Sequence, residues 1–415
     1  MKYAKKNIVK ENTMKIESIH LKNFKAFKDV EIKNIPKMCV FVGANGTGKT
    51  TIFNVFSFLK DALTDNVHVA LTKLGGSRGF QEVRSRNSTG PIEIELQFHQ
   101  NDQSPLFTYY LKINEEDNLP FIEKEILQYK ESIINQVHPL FSFSKGKGEA
   151  VINEPDKITS HTELKKEKYD LKSPDILALK GLAQFEKFPA SKAIGDLLEN
   201  WHISDFHIQQ ARPERESSYA EHLSKEGENL AMVTEFLYKR HPDIFHKIIE
   251  KLKQRVPGIS AVDSKITEEG RVLLRFKDGD FHDPFLARYV SDGTIKIFAY
   301  LVLLYDPKPH PLLCVEEPEN QLYPKLLYEL AEEFREYARK GGQVFVSTHS
   351  PDFLNGCELE EVFWLQKERG YTVVKRASDD EQITTYMNEG DSYGALRYQL
   401  GYLWRQGFFE GADPL

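Results

Sequence analysis

The sequence predicts an α/β fold with a mixed or parallel sheet, an antiparallel β region and a helical lobe. Three observations support this fold class. Residues 43–50 form a glycine-rich loop between an apolar segment and a helical pattern, residues 91–98 alternate strictly between apolar and polar side chains, and residues 312–346 have the spacing of strand, helix and strand. The last spacing predicts a parallel crossover, so the sheet that begins before residue 64 is completed after residue 310.

The N-terminal region is predicted to be a nucleotide-binding lobe. Its loop fits the pattern Gly-x-x-x-x-Gly-Lys-[Ser/Thr], in which small residues let successive backbone N–H groups surround phosphates. Lys49 would reach the β- and γ-phosphate oxygens, and the Thr50 hydroxyl would bind Mg²⁺. We expect the nucleotide to contact Gly43, Asn45, Gly46, Gly48, Lys49, Thr50 and Thr51.

Composition changes along the chain predict six segments. Residues 1–13 are polar and are expected to form a flexible extension. Residues 14–140 would hold the loop and an antiparallel sheet, in which residues 107–113 pair with residues 91–98. We expect an exposed insertion at 141–175, a helical lobe at 176–290, the C-terminal part of the nucleotide-binding lobe at 291–392 and an aromatic tail at 393–415.

Composition restricts the compartment and the class of protein. The 415 residues predict two or three domains or one elaborated domain, and the formal charge of −7 gives no sign of nucleic-acid binding. Three cysteines, Cys39, Cys314 and Cys357, are typical of a reducing cytosol. We also find neither a membrane-spanning apolar stretch nor an N-terminal signal core. We therefore expect a cytoplasmic protein that does not insert into a membrane.

Three later motifs indicate chemistry at the same sheet edge. Apolar residues 312–315 precede Glu316 and Glu317, of which one carboxylate would hold Mg²⁺ and the next would deprotonate a water molecule. His349 follows the next strand and is predicted to face the same phosphates. Residues 290–294 begin a very apolar helical run, and a serine and glycine at such a helix N-terminus suit an anion.

The order of these motifs resembles the ATP-binding-cassette (ABC) ATPases of the RecF, SMC and OLD group. The motifs are Gly-x-x-x-x-Gly-Lys-Thr, Ser-Asp-Gly-Thr, Glu-Glu-Pro-Glu-Asn-Gln-Leu-Tyr-Pro and Ser-Thr-His-Ser-Pro. The resemblance implies an ABC ATPase head that uses ATP and Mg²⁺, with Glu317 as the base and His349 as the sensor of the γ-phosphate. It also implies a homodimer that encloses two ATP molecules. Ser291 and Gly293 would contact the nucleotide of the second copy, and Asn320 would lie at the dimer seam.

Two features of the resemblance depart from the wider family or stay open. Glu316 stands where the wider family usually has aspartate, and the signature Ser-Asp-Gly-Thr favours the DNA-linked branch over transporters. The family also has a glutamine that senses Mg²⁺. Our candidate is Gln209, Gln81 is the alternative, and a third reading is that neither residue has this function.

The resemblance leaves three functions open. OLD proteins carry a TOPRIM nuclease domain after the ATPase, but only 66 of the 415 residues follow His349, and they show no such pattern. We therefore expect a stand-alone ATPase that gates a separately encoded nuclease, TOPRIM-like in related systems, in bacterial anti-phage defence. The alternatives are a RecF-like clamp that binds DNA without a nuclease and, less favoured, the nucleotide subunit of a transporter.

The C-terminal tail is unusually rich in aromatic residues. It either packs on the ATPase core, which we favour, or forms a docking patch for a partner. The residues concerned are Tyr393, Leu396, Tyr398, Leu400, Tyr402, Leu403, Trp404, Phe408 and Phe409.

Overall fold

The computed structural model describes residues 14–101, 103–130, 136–154, 164–279, 281–389 and 399–409. The predicted extension at 1–13 lies outside these residues. Within the described part of the chain, no helix has both the length and the apolar character needed to cross a bilayer.

The strands vary from 2 to 12 residues. In chain order they are β1 Lys15–Phe24, β2 Phe27–Ile32, β3 Met38–Val42, β4 Ile92–His99, β5 Leu106–Glu116, β6 Leu119–Lys130, β7 Val137–Ser144, β8 Lys147–Val151, β9 Lys166–Asp170, β10 His202–Ser204, β11 Arg215–Glu216, β12 Ile259–Ile266, β13 Arg271–Asp278, β14 Phe285–Leu286, β15 Leu312–Glu316, β16 Gln343–Thr348, β17 Val362–Glu368 and β18 Tyr371–Arg376.

The helices vary from 4 to 16 residues and separate the strands into groups. They are α1 Lys49–Thr64, α2 Val67–Gly75, α3 Phe80–Val83, α4 Ala178–Leu182, α5 Pro189–Asn200, α6 Ile208–Ala211, α7 Leu230–Arg240, α8 Pro242–Arg255, α9 Asp292–Leu304, α10 Pro324–Arg339, α11 Pro351–Leu354, α12 Glu381–Glu389 and α13 Leu400–Arg405.

The described chain forms two compact units, each assembled from separate stretches of sequence. The first unit contains residues 14–37, 54–200 and 338–343, and the second contains the remaining described residues. These units differ from the predicted segments because strands distant in sequence pair within each of them.

The first unit is built on an eight-stranded sheet in the order β2-β1-β4-β5-β6-β7-β8-β9. The predicted pairing of residues 91–98 with residues 107–113 is confirmed, because β4 and β5 pair antiparallel with Ile94 opposite Leu111. Alternate residues of β4 are buried, so the period-two pattern places one apolar face of the sheet in the core.

The second unit contains a six-stranded sheet in the order β10-β15-β16-β3-β17-β18. Strand β3 pairs parallel with both β16 and β17, and β10 pairs parallel with β15. The edge strand β18 runs antiparallel to β17. The expectation that the N-terminal sheet is completed after residue 310 is therefore confirmed for β3.

Two predicted segments are corrected by the structure. Residues 141–175 were expected to be an exposed insertion, but β7, β8 and β9 pair there and extend the eight-stranded sheet. The charged side chains that suggested a loop lie on strands near the edge of that sheet. The predicted helical lobe at 176–290 is helical only in part, since β12 and β13 form an antiparallel hairpin that pairs with β11 and β14.

The described part of the aromatic tail packs on the second unit. Trp404 and Phe409 are fully buried, and the ring of Phe409 meets Trp364 edge-on at a centroid distance of 5.4 Å. The Gly401 N–H donates to Asn355 Oδ1 at 3.0 Å. The packing interpretation is thus confirmed for residues 399–409, although Tyr402 stays about half exposed.

A buried carboxylate in the first unit caps a helix. Glu125 of β6 accepts hydrogen bonds from the N–H groups of Ala178 and Leu179 at 2.6 and 3.0 Å, and from the Tyr109 hydroxyl at 3.1 Å. Burial raises the pKa of Glu125 to about 7, against the opposing effect of these three donors. Burial therefore penalises the charged form of Glu125 inside this unit.

We predict that Glu125→Gln becomes increasingly favourable relative to the wild type as pH rises. The folded-state pKa of about 7 lies above the ordinary 4.5, so the stability contributed by this group is present below pH 4.5 and is lost as pH rises through 7. The difference in free energy of unfolding should change by roughly 2 to 3 kcal/mol across that window. Urea titrations from pH 4.5 to 8 measure it.

The matched control is Glu116→Gln, because the Glu116 side chain is 73% exposed. If the free energies of unfolding of Glu125→Gln and the wild type changed with pH in parallel, the assignment of a pKa raised by burial to Glu125 would be contradicted.

Candidate functional site

The predicted phosphate loop leaves the fully buried strand β3 and leads into the first turn of α1, and these residues belong to the second unit. Gly46 and Gly48 have φ values of 78° and 101°, a backbone region in which a side chain is strained. The loop is closed by a hydrogen bond from the Thr47 hydroxyl to Ala44 O at 2.8 Å. Gly43, Asn45, Thr50 and Thr51 lie in this turn or in the first turn of α1, as the motif predicts.

Lys49 lies over the loop. Its Nζ donates to the carbonyl oxygens of Gly43 at 2.6 Å and Ala44 at 3.3 Å, and the residue is only 6% exposed. Burial lowers the pKa of Lys49, and the negative charges of Glu317 and Glu319 oppose that shift. The structure therefore places the predicted lysine within electrostatic range of the predicted acids.

The acidic run follows β15. The Glu317 N–H donates to Ser347 O at 2.9 Å, which joins the end of β15 to β16, and Glu317 has an unusual φ of 40°. Burial is the main cause of a raised pKa at Glu316, and the negative charge of Asp205 adds to it. Among the described residues, Glu316 Oε1 is buried without a hydrogen-bond partner, which suits an oxygen ligand for a cation.

His349 lies beside these carboxylates. Glu319 Oε1 accepts hydrogen bonds from Thr348 Oγ1 and the His349 N–H, each at 2.8 Å. His349 Nδ1 lies 3.3 Å from Glu317 Oε1 and 3.4 Å from Glu319 Oε1. Asn320 Nδ2 donates to the other Glu317 oxygen at 3.2 Å. The predicted base, the predicted sensor and the predicted seam residue thus lie side by side: Asn320 is hydrogen-bonded to Glu317, and His349 Nδ1 lies near Glu317 without forming a hydrogen bond to it.

A second lysine was missed in the sequence. Lys296 of α9 is 3% exposed, and burial lowers its pKa to about 8, opposed by the charges of Glu319, Asp205 and Glu317. The sequence did offer a sign of this residue, because Lys296 is the single charged residue inside the apolar run 295–304. An unpaired lysine is rare at a buried position. Asp205 was also missed, although it follows β10 just as Glu317 follows β15.

The signature residues lie at the N-terminus of α9. The Ser291 hydroxyl caps this helix by accepting from the Thr294 N–H at 3.3 Å. The Arg212 guanidinium donates to Arg288 O at 3.0 Å, to Val290 O at 2.8 Å and to the Asp292 carboxylate. Arg212, which the sequence did not single out, therefore fixes the backbone that leads into the signature.

Gly293 explains why the signature needs a small residue. A Cβ at this position would lie 3.0 Å from Gln321 O, so a larger side chain would push the loop after Asn320 away. The signature and the predicted seam residue are therefore neighbours within one chain.

The two candidate glutamines lie elsewhere. Gln209 is exposed on α6, where it lines a cavity of about 400 Å³ with Arg212, Arg271 and Arg288. Gln81 belongs to the first unit, where its amide donates to Glu115 and accepts from Arg84. The role of Gln209 as a magnesium ligand stays a prediction that this geometry does not support, since Asp205 is the residue nearer the end of β10.

Comparison with known proteins finds a family model that matches most of the chain. A family model described as "AAA domain, putative AbiEii toxin, Type IV TA system" matches residues 38–355, well over half of the chain. The DNA replication and repair protein RecF of Lactococcus lactis subsp. lactis strain IL1403 is 33% identical over 89 residues, which are 20% of this chain and 24% of that protein. RecF of subsp. cremoris strain MG1363 matches equally. The chain thus spans about a quarter of the length of these relatives.

A solved structure of an SMC head bound to the C-terminal winged-helix domain of ScpA is similar in fold. The TM-score is 0.52 at 16% identity, and the match covers 87% of this chain and 97% of the SMC head. At this identity the likeness concerns the fold alone.

We predict that Glu319→Ala impairs nucleotide hydrolysis far more than nucleotide binding. The substitution removes the acceptor of Thr348 Oγ1 and the His349 N–H, which should cost about 1 to 3 kcal/mol of stability and allow His349 to move. A displacement of that kind lowers turnover by about 10²-fold. Steady-state kinetics with thermal unfolding would separate kcat, KM and stability.

Glu319→Gln is the matched control, since its amide oxygen can still accept both bonds. Equal turnover in Glu319→Ala and the wild type would show that Glu319 does not position His349.

Proposed function

We infer that the chain, which belongs to the AAA-domain family that its residues 38–355 match, is an ABC-type ATPase of the RecF and SMC group. From this premise we propose that it hydrolyses ATP as a dimer enclosing two ATP molecules. We further propose that this cycle gates a separately encoded nuclease in bacterial anti-phage defence.

The grouping of Lys49, Glu317 and His349 carries the proposal of hydrolysis. A charged lysine over a phosphate loop, a carboxylate after a buried strand and a histidine after the adjacent strand are the parts that phosphoryl transfer to water needs. His349 Nδ1 lies 3.3 Å from Glu317 Oε1, and the charge of Glu317 acts on Lys49. Three segments far apart in sequence supply these groups.

Nucleotide binding would begin at the loop. Backbone N–H groups of residues 43–50 and the N-terminus of α1 offer donors to the phosphates. Lys49 Nζ, which the structure shows on two loop carbonyl oxygens, would exchange these neutral acceptors for charged phosphate oxygens. That exchange strengthens the hydrogen bonds because both partners are then charged.

The oxygen donors at this site fit Mg²⁺. Thr50 and Glu316 would hold the ion, since Glu316 Oε1 is buried without a hydrogen-bond partner among the described residues and a hydroxyl with a carboxylate is a hard-oxygen donor set. Mg²⁺, when bound, neutralises the β- and γ-phosphate oxygens. The negative charge of Asp205, which acts on Glu316, favours a cation at this position.

Glu317 would accept the proton of the attacking water. Asn320 donates to one of its two carboxylate oxygens and His349 Nδ1 lies 3.3 Å from the other, so both oxygens have a polar neighbour before the substrate arrives. The ring of His349 would contact the γ-phosphate, while its backbone N–H continues to donate a hydrogen bond to Glu319. The side chains of Glu317 and His349 are 34% and 38% exposed, which leaves room for water.

The exposed surface around the signature suits a second copy of the chain. Tyr289 and Tyr323, which flank the signature and the acidic loop, are 70% and 75% exposed. Tyrosines are enriched at protein interfaces. In a head-to-tail dimer, Ser291 and Gly293 would complete the phosphate contacts of the partner, and Asn320 would lie at the seam.

Two findings support control of a partner in defence. The family description refers to a toxin of a type IV toxin–antitoxin system. The SMC head of similar fold was solved with another protein domain bound to it.

The 33% identity with RecF over 89 residues favours a second candidate function. In that case the ATP-bound dimer would bind duplex DNA directly and need no effector. This function predicts an affinity for DNA that depends on ATP and falls steeply as the salt concentration rises, because each phosphate contact releases counterions.

We predict that Glu317→Gln binds ATP and accumulates as a dimer, whereas Lys49→Ala does not bind ATP. Loss of the base should lower turnover by about 10²- to 10⁴-fold without removing phosphate contacts. Analytical ultracentrifugation with and without Mg·ATP, together with a phosphate-release assay, measures both effects. Hydrolysis by Glu317→Gln at the wild-type rate would rule out Glu317 as the base.

We predict that a nuclease co-purifies with tagged Glu317→Gln in Mg·ATP and is absent with tagged Lys49→Ala. Mass spectrometry of the eluates from the native cells identifies the partner. Recovery of chromosomal DNA with repair proteins, and of no nuclease, would contradict effector gating and favour the RecF-like function.

A further inference from the structure

A cluster of metal-ligating side chains lies in the second unit, away from the phosphate loop. His222, Asp306 and His310 each offer one ligand atom, and these atoms all lie within 4.8 Å of one another. His222 Nδ1 is 2.6 Å from Asp306 Oδ2, and the Asp306 side chain is only 5% exposed. Two histidines and one carboxylate in this proximity form a donor set that suits zinc.

The two loops that carry the cluster are held by hydrogen bonds of their own. Asp306 Oδ1 accepts from the Lys308 N–H at 2.8 Å, which leaves Oδ2 toward His222. The buried Tyr337 hydroxyl donates to His310 O at 3.2 Å. Asn229 Nδ2 donates to His222 O at 2.9 Å. The backbone of His222 and of His310 and the carboxylate of Asp306 are therefore held before any ligand binds.

The ring of His310 is fixed as well. His202, the first residue of β10, stacks on it with a centroid distance of 4.6 Å and an interplanar angle of 14°. A cavity of about 340 Å³ opens beside the cluster, lined by His222, Asp306 and Lys308 among others, so a solvated ion can reach it.

We propose that His222, Asp306 and His310 bind a divalent transition metal ion of the zinc class. Tetrahedral coordination with bonds of about 2.0 to 2.1 Å separates ligand atoms by roughly 3.3 Å. On metal binding, the 2.6 Å distance between His222 Nδ1 and Asp306 Oδ2 would therefore lengthen slightly. The ligand atom of His310, which lies at most 4.8 Å from the other two, would move closer to them. Water completes the shell from the cavity. Imidazole ligands select zinc-class ions over Mg²⁺.

The position of this site suggests what the ion does. Asp306 follows the end of α9 by two residues, and His310 precedes the start of β15 by two residues. The N-terminus of α9 carries the signature and the carboxyl end of β15 carries Glu316. A metal bound here ties the far ends of both elements to the loop that contains His222.

Metal binding to the full-length protein tests the proposal directly. Metal-free protein in excess Mg²⁺, which occupies the oxygen-ligand site, is titrated with Co²⁺ and then with Zn²⁺. We expect about one equivalent of Co²⁺ with visible d–d absorption, displacement by Zn²⁺ and a raised Tm with Zn²⁺. The variants His222→Ala, Asp306→Asn and His310→Ala should each weaken affinity by roughly tenfold or more.

Asp306→Asn keeps the shape of the side chain, so it remains informative where an alanine variant fails to fold; ATP binding reports folding in every case. The matched controls are His246→Ala, an exposed histidine of α8, and Cys357→Ser, which removes a free thiol. Both should bind metal as the wild type does. The proposal is overturned when wild-type protein binds no Co²⁺ or Zn²⁺, when Asp306→Asn binds them unchanged, or when a control variant loses the binding.

Discussion

The carboxylate of Glu319 is the interaction on which the geometry of the site depends. One oxygen accepts hydrogen bonds from Thr348 Oγ1 and from the His349 N–H, and the residue lies in a largely buried position. Glu319 follows β15 and His349 follows β16, so the contact fixes the ends of two neighbouring strands. In an environment of low dielectric constant such bonds are stronger than in water and costly to leave unmade. The position of the histidine ring relative to Glu317 is a consequence of this arrangement.

The electrostatics of the second unit suit a ligand that brings its own cation. The acidic groups Glu316, Glu317 and Glu319 lie close together, and Lys49 and Lys296 face them from two other segments. Burial nevertheless lowers the pKa of both lysines, so the carboxylates compensate only part of the cost of desolvating them. A nucleotide with its metal ion adds charges of both signs, so its phosphates can pair with the lysines and its metal ion with the carboxylates.

Local patterns in the sequence predicted what local physics decides. The phosphate loop, the alternation of β4 and the apolar run of α9 were predicted because glycine conformation and side-chain periodicity act over a few residues. The strands β8 and β9 were missed because their charged residues resemble a loop, and pairing with β7 decides their structure. Lys49, Glu317 and His349 carry motifs, whereas Lys296, Asp205 and Arg212 matter through neighbours distant in sequence. The role of Gln209 stays a prediction, because the strand before it ends at Ser204 and Asp205, not Gln209, directly follows that strand.

The discontinuous second unit also determines when the protein can fold during synthesis. Strand β3 lies between β16 and β17, which are made roughly 300 residues later, about 15 to 60 s at ordinary rates of translation. Until then the fully buried strand Met38–Val42 has neither neighbour and exposes two unpaired edges. The nascent chain therefore passes through a long aggregation-sensitive interval, in which the eight-stranded sheet of the first unit has already been synthesised. The order of the strands, rather than any weakness of the finished core, creates this interval.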